Sequence, residues 1–215
     1  MRTRIKICGL TREADLDAIV QAGADAIGFV FYPGSKRYVS PARAAELRRR
    51  VPAFVDVVAL TVNASQDEMR AIVGEVGPDL LQFHGDEAPE ECRRPGRRYL
   101  RAFRVGAPGL DTSDALAAYC AQYGDAAGWL FDSYSAGYGG SGLGFDRALL
   151  AGVQASPDSR ALVLAGGLTP ENVADAVRAV RPWAVDVSSG VEEGPGLKSI
   201  ERVKKFIDSV NFSAN

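Results

Sequence analysis

Short apolar runs alternate along this chain with stretches of helical period. The runs are Arg4–Ile7, Ala26–Phe31, Phe54–Leu60, Leu80–Phe83, Tyr99–Phe103, Gly128–Phe131, Ala161–Leu164 and Ala184–Val187. They are mostly continuous rather than interrupted by polar residues, which predicts strands buried on both faces. Between them, Leu16, Ile19, Val20 and Gly23 repeat as i, i+3, i+4, i+7 on one helical face. Ser40-Pro41 reads as an N-cap with proline at the first helical position. Ser65 to Glu68 reads as a capping box ahead of Met69, Ile72, Val73 and Val76. Leu116, Tyr119, Cys120 and Tyr123 form another stripe, and Thr169-Pro170 opens a helix carrying Val173, Ala176, Val177 and Val180. Ser199 precedes Ile200, Val203 and Ile207, while the helices expected around Asp86–Arg93 and after Asp146 are weakly marked.

Eight strand-then-helix units in 215 residues, about 27 residues each, predict an α/β fold of the compact (β/α)8 TIM-barrel type. A doubly wound open sheet alternates in the same way, so the pattern by itself leaves closure open. No linker, charge block or low-complexity stretch divides the chain, and residues 1–215 are read as one barrel domain. In either architecture the residues that do chemistry stand at the C-terminal ends of the strands.

Composition narrows the function classes. Lys plus Arg number 25 against 27 Asp plus Glu, so there is no basic footprint for a nucleic acid. No apolar run reaches the ~18 residues of a membrane span, and Met1–Leu10 lacks the apolar core of a secretory signal. Three cysteines, Cys8, Cys92 and Cys120, do not make a disulfide framework, so the cytoplasm is the expected compartment. The single histidine, His84, excludes metal sites that need two imidazoles, and no metal is expected. Glycine is frequent at 23 residues, above the usual ~7%.

The strand ends supply the candidates. Cys8 is either a small buried hydrophobe or a thiolate favoured by a following helix start, a setting expected to lower its pKa. Cys92 and Cys120 fall in helices and are read as structural. Asp132 can cap a helix or give a proton. Arg37 is either a solvated surface charge or a fork for a substrate carboxylate. His84 can be a base, a hydrogen-bonding partner or packing. Glycines cluster at Gly137–Gly144, Gly166-Gly167 and Ser188-Ser189-Gly190. Such backbone can approach an anion closely, and barrels often hold phosphate after strands seven and eight beside a short extra helix, here expected at Val191–Gly194.

Taken together, Lys6-Ile7-Cys8-Gly9-Leu10-Thr11, Gly28-Phe29-Val30-Phe31, Ser35-Lys36-Arg37-Tyr38 and Gln82-Phe83-His84-Gly85 resemble the phosphoribosylanthranilate isomerase family of tryptophan biosynthesis. So do the Asp132 strand end, Gly139-Gly140-Ser141-Gly142 with Phe145-Asp146, Leu164–Leu168 and Val185–Glu192. The resemblance runs in order along nearly the whole chain. It implies a cofactor-free Amadori rearrangement of N-(5-phosphoribosyl)anthranilate to 1-(2-carboxyphenylamino)-1-deoxyribulose 5-phosphate. Carried over by position, it makes Asp132 the general acid and Cys8 the general base. It gives Arg37 the anthranilate carboxylate, and Gly142, Gly166, Gly167, Ser189 and Gly190 the phosphate. It also brings Asp186 near the substrate, although Asp186 could equally bond nearby backbone, and His84 at its strand end is a further candidate for substrate contact.

The chain departs from the family pattern at Leu143-Gly144 and Arg147, and at Leu197-Lys198-Ser199. Three alternatives are carried. An isomerase of a related phosphoribosyl amine is opposed by cysteine, rather than aspartate, at the end of strand one. Indole-glycerol-phosphate synthase is opposed by the lack of its lysines. A non-catalytic barrel binding a phosphorylated ligand would need neither Cys8 nor Asp132. The expected partner is a phosphorylated small molecule, and oligomeric state is left open.

Overall fold

The computed structural model describes residues 2–134 and 144–213. Eight parallel strands close into a barrel in chain order: β1 (Arg4–Cys8), β2 (Ala26–Val30), β3 (Asp56–Thr61), β4 (Leu80–Phe83), β5 (Tyr99–Val105), β6 (Gly128–Ser133), β7 (Ala161–Leu164) and β8 (Ala184–Val187). The seam is sealed by β1 pairing with β8, where Lys6 stands opposite Asp186. Closure removes the free edges that an open sheet would leave.

The connecting helices are α1 (Glu13–Gln21), α2 (Pro41–Arg48), α3 (Gln66–Ala71), α4 (Pro89–Arg93), α5 (Ser113–Ala121), α6 (Ala151–Ala155), α7 (Val173–Val180) and α8 (Ile200–Ser213). Among the described residues, no helix is long and apolar enough to cross a membrane. The caps read from sequence form at α2, where Ser40 accepts from the Arg43 amide, and at α3, where Ser65 and Glu68 bond reciprocally. α3 runs on as a π-turn over Ile72–Val76 and stops at Gly77, which takes φ of 58°.

Several boundaries move. β3 begins at Asp56 rather than Phe54, because Phe54 is fully exposed with φ of 70° and belongs to a turn. β5 and β6 each run two residues further than the apolar pattern, so Asp132 lies within β6. α7 starts after Asn172, not at Thr169-Pro170. The Asn172 side chain accepts from the Thr169 amide and closes a turn first. The extra element after β8 is not a helix over Val191–Gly194. It is a 3-10 turn, Ser189–Val191, followed by a two-stranded hairpin, β9 (Glu192–Gly194) with β10 (Leu197–Lys198). Cys92 and Cys120 are buried on α4 and α5, and burial pushes the Cys92 thiol up to about 12.

The main core lies between strands and helices. A smaller group of Ala102, Leu130, Val163, Ala165 and Ala184 fills the barrel. Alternation along each strand then decides what faces the upper interior. Register sets Leu130 against Val163 and Val163 against Ala184, so two residues further up Asp132 and Asp186 share that inward parity.

On the outward face, Arg101 and Glu87 tie three strand ends together. The Arg101 guanidinium donates to Glu87 and to the carbonyls of Phe83 and Gly85, each at 3.0 Å. Glu87 in turn accepts from the amides of Asn63 and Gly85. Both side chains are buried. Arg101→Met would leave the carboxylate without its cation, and removing one partner of a buried pair costs about 3–5 kcal/mol. Urea unfolding of that variant is expected to show a loss of this size. A midpoint within error of the parent would mean that the clamp carries no net stability.

Candidate active site

β1 sends Lys6 and Cys8 to the same side, two residues apart, at the upper mouth of the barrel. Cys8 is buried, and Gly28 stands opposite it in register on β2. A β-carbon at Gly28 would come within 2.7 Å of Cys8 Sγ, so glycine there makes room for the thiol. Lys6 Nζ donates to Asp186 Oδ1 at 2.9 Å, and its positive charge pulls on the Cys8 thiol. From β10, Lys198 Nζ donates to the Cys8 carbonyl at 2.6 Å, the Ser188 carbonyl at 3.1 Å and Glu192 Oε1 at 2.8 Å.

Burial pushes the Cys8 thiol above its ordinary value, and the pull of the Lys6 and Lys198 ammoniums does not reverse that. This corrects the expectation of a lowered pKa. The helix start is too far away to act: α1 opens only at Glu13, beyond a loop through Gly9.

Asp132 faces the same pocket from β6. Its Oδ1 accepts from the Ser133 amide at 2.8 Å, and its Oδ2 lies 3.3 Å from His84 Nε2. The His84 ring is fixed from the other side, where the Gln82 amide nitrogen donates to Nδ1 at 3.0 Å. Nε2 then carries the ring proton. It is buried without a well-aligned partner among the described residues, as is Gln82 Oε1. Asp186 proves to be the counter-ion of Lys6 rather than a bonding partner of backbone.

Arg37 lines this pocket together with Cys8, His84, Asp132, Asp186 and Ser188. It is not the solvated charge that a loop arginine suggests. Its Nε and Nη2 donate to the two oxygens of Glu192 at 2.8 and 2.7 Å. Gly9 allows its approach: a β-carbon there would stand 2.5 Å from Arg37 Cδ.

Gly166, Gly167, Ser189 and Gly190 line an adjoining hollow floored by Asp132 and Asp186. Gly166 and Gly167 take φ of 77° and 62°, a region open chiefly to glycine. Gly142 and Leu143, with the cluster from Gly137 up to them, lie outside the described residues, whereas Gly144 is exposed and Arg147 opens a short 3-10 turn. Among the described residues, no group of three or more His, Cys, Asp or Glu side chains is placed to hold a metal ion.

Sequence reasoning gave no role to Lys6, Glu192, Gln82 or Lys198. Lys6 left one usable trace, a lysine inside an apolar strand, which is rarely tolerated unless paired. Lys198 left none, because its partners are brought to it only by the hairpin.

The family model for N-(5'phosphoribosyl)anthranilate (PRA) isomerase matches residues 5–209. The chain belongs to this family. It is 72% identical over 210 residues to the N-(5'-phosphoribosyl)anthranilate isomerase of Bordetella bronchiseptica, covering 98% of this chain and 96% of that one. A crystal structure of phosphoribosyl anthranilate isomerase from Thermotoga maritima superposes with a TM-score of 0.86 at 39% identity, covering 97% of this chain and 98% of that one. A further structure of the enzyme, in complex with reduced 1-(o-carboxyphenylamino)-1-deoxyribulose 5-phosphate, superposes at 0.83 with 37% identity and the same coverage. Within this isomerase family, the barrel and the order of the strand-end motifs are those anticipated from the sequence.

The raised Cys8 value has a measurable signature. The rate of Cys8 alkylation by iodoacetamide is expected to rise with pH, with its midpoint above the ordinary thiol range of about 8.5. Lys6→Met should move it higher still. The fold favours the protonated thiol, so this contribution to stability is full below the ordinary thiol value and is lost as pH rises through the folded one. A midpoint at or below the free value would show that the two ammoniums outweigh burial.

Proposed function

We propose that Cys8 and Asp132 are the base and acid of the isomerisation for which the family is named. In that reaction N-(5-phosphoribosyl)anthranilate becomes 1-(2-carboxyphenylamino)-1-deoxyribulose 5-phosphate, a step of tryptophan biosynthesis. The observation that carries the assignment is the shared pocket, into which β1 brings a thiol and β6 a carboxyl group.

Asp132 gives its proton to the furanose ring oxygen. The ring C–O bond breaks, and a protonated Schiff base forms between C1 and the anthranilate nitrogen. That cationic imine acidifies the C2–H bond, so a weak base suffices. Cys8, as thiolate, removes the C2 proton, and the electron pair moves toward nitrogen to give an enolamine. The C2 hydroxyl proton then leaves and C1 is protonated, yielding the ketone. The protons taken and given cancel, C1 is reduced as C2 is oxidised, and no cofactor is required.

The surroundings fit these steps. Lys6 neutralises Asp186 and its positive charge pulls on the thiol, so it favours the thiolate once substrate excludes water. The buried Nε2–H of His84 is a donor held beside Asp132 for a ligand oxygen, since leaving such a group unpaired costs about 1–3 kcal/mol. The phosphate falls to Gly166, Gly167, Ser189 and Gly190, with Gly142 of the preceding loop, and the anthranilate carboxylate to Arg37.

A steady-state assay following loss of phosphoribosylanthranilate fluorescence, without added metal, tests the roles. Asp132→Asn and Cys8→Ser should each lower kcat by at least about 100-fold, the usual scale for removing a general acid or base. Binding of the reduced product analogue should stay within a few-fold of the parent. Retained turnover in either variant would remove that residue from the chemistry.

A further inference from the structure

Arg37 meets its proposed ligand already engaged. The Nε–Nη2 edge of the guanidinium is forked onto Glu192, and that edge is one of only two on which a carboxylate can be held bidentately. The Nη1 side takes no part in the fork. The side chains are 14% exposed for Arg37 and 4% for Glu192. A half-buried arginine and glutamate so paired are neutral together. A second carboxylate arriving at the other edge would bring an uncompensated negative charge into a partly desolvated site, which is unfavourable.

Lys198 changes that balance. Its ammonium is fully buried and donates to the same Glu192 carboxylate at 2.8 Å. The Cys8 and Ser188 carbonyls and the Ser188 hydroxyl take its other donors, an all-oxygen set of four acceptors that suits an ammonium and opposes the lowering of its pKa by burial. Arg37, Glu192 and Lys198 together carry one net positive charge. The neighbouring Lys6–Asp186 pair is balanced by itself. One incoming carboxylate therefore brings the cluster to neutrality.

We infer that Lys198 is a specificity-determining residue: acting through Glu192, it supplies the charge that allows Arg37 to accept the carboxylate of the substrate. The inference rests on the assignment of that carboxylate to Arg37. Lys198 does not touch the reacting atoms. A scaffold role alone would serve a ligand with or without a carboxyl group equally well, whereas a charge-balancing role separates the two. The lysine is needed only because Glu192 is present. Removing both charges leaves Arg37 as a lone cation, again complementary to a carboxylate.

The test is calorimetric titration of two phosphorylated ligands, reduced 1-(o-carboxyphenylamino)-1-deoxyribulose 5-phosphate and its anilino counterpart without the carboxyl group. Preference is the ratio of their dissociation constants. Lys198→Met is expected to lower the preference at least tenfold while the anilino ligand binds within threefold of the parent, which also reports an intact fold. Lys198→Met combined with Glu192→Gln is expected to recover most of it. Equal loss for both ligands, an unchanged preference in Lys198→Met, or no recovery in the double variant would each overturn the inference. Arg37→Met separates the underlying reading. If it keeps the parental preference, the carboxylate lies elsewhere and both ideas fall. If it abolishes the preference while Lys198→Met keeps it, the role given to Lys198 fails alone.

Discussion

A charge taken out of water must be met by opposite charge or by hydrogen bonds, and the seam where this barrel closes is organised around two that are. Lys6 enters the interior because it shares strand parity with Cys8, and Asp186 answers it from β8 at 2.9 Å. Lys198 enters from the β9–β10 hairpin and is answered by Glu192 and two carbonyls. Each cation also acts on Cys8, one by its charge on the thiol and one at the backbone. The position of the thiol, the setting of Arg37 and the joining of the first strand to the last are thus consequences of the same requirement.

The same arrangement bears on the proposed role of Cys8 as a base, since burial raises the pKa of its thiol. Two ammoniums stand ready to stabilise the thiolate, yet they are themselves held by carboxylates and carbonyls, so they do not fully ionise it beforehand. Burial keeps the resting group as a thiol. In the proposed mechanism, the cationic imine formed on ring opening makes the proton at C2 acidic enough to leave. Across the pocket, Asp132 is steadied by the Ser133 amide and lies beside an imidazole fixed by Gln82.

Much of the architecture was legible because it follows from local rules. Continuous apolar runs marked all eight strands, and Ser40, Ser65 and Ser199 announced helices that form. What the pattern could not mark were places where tertiary structure overrides composition. Phe54 is apolar yet stands fully exposed in a turn, while β5 and β6 continue through the polar residues Arg104, Asp132 and Ser133. The site divides in the same way. Cys8, Arg37, His84, Asp132 and the glycine turns, which line adjoining hollows, could be singled out because strand ends can be counted. The groups that tune them, Lys6, Gln82, Glu192 and Lys198, act by pairing across elements far apart in sequence, and charge pairing leaves no periodicity to read.

The contact between Lys198 and the Cys8 carbonyl spans 190 positions of the chain. During synthesis the first strand leaves the ribosome long before the residue that completes its surroundings exists. A nascent chain carrying both the proposed acid and the proposed base still lacks Lys198, the lysine proposed to charge the ligand pocket, and the strand that neutralises Lys6. The surroundings of Cys8 are therefore complete only once β8 and the β9–β10 hairpin have joined β1.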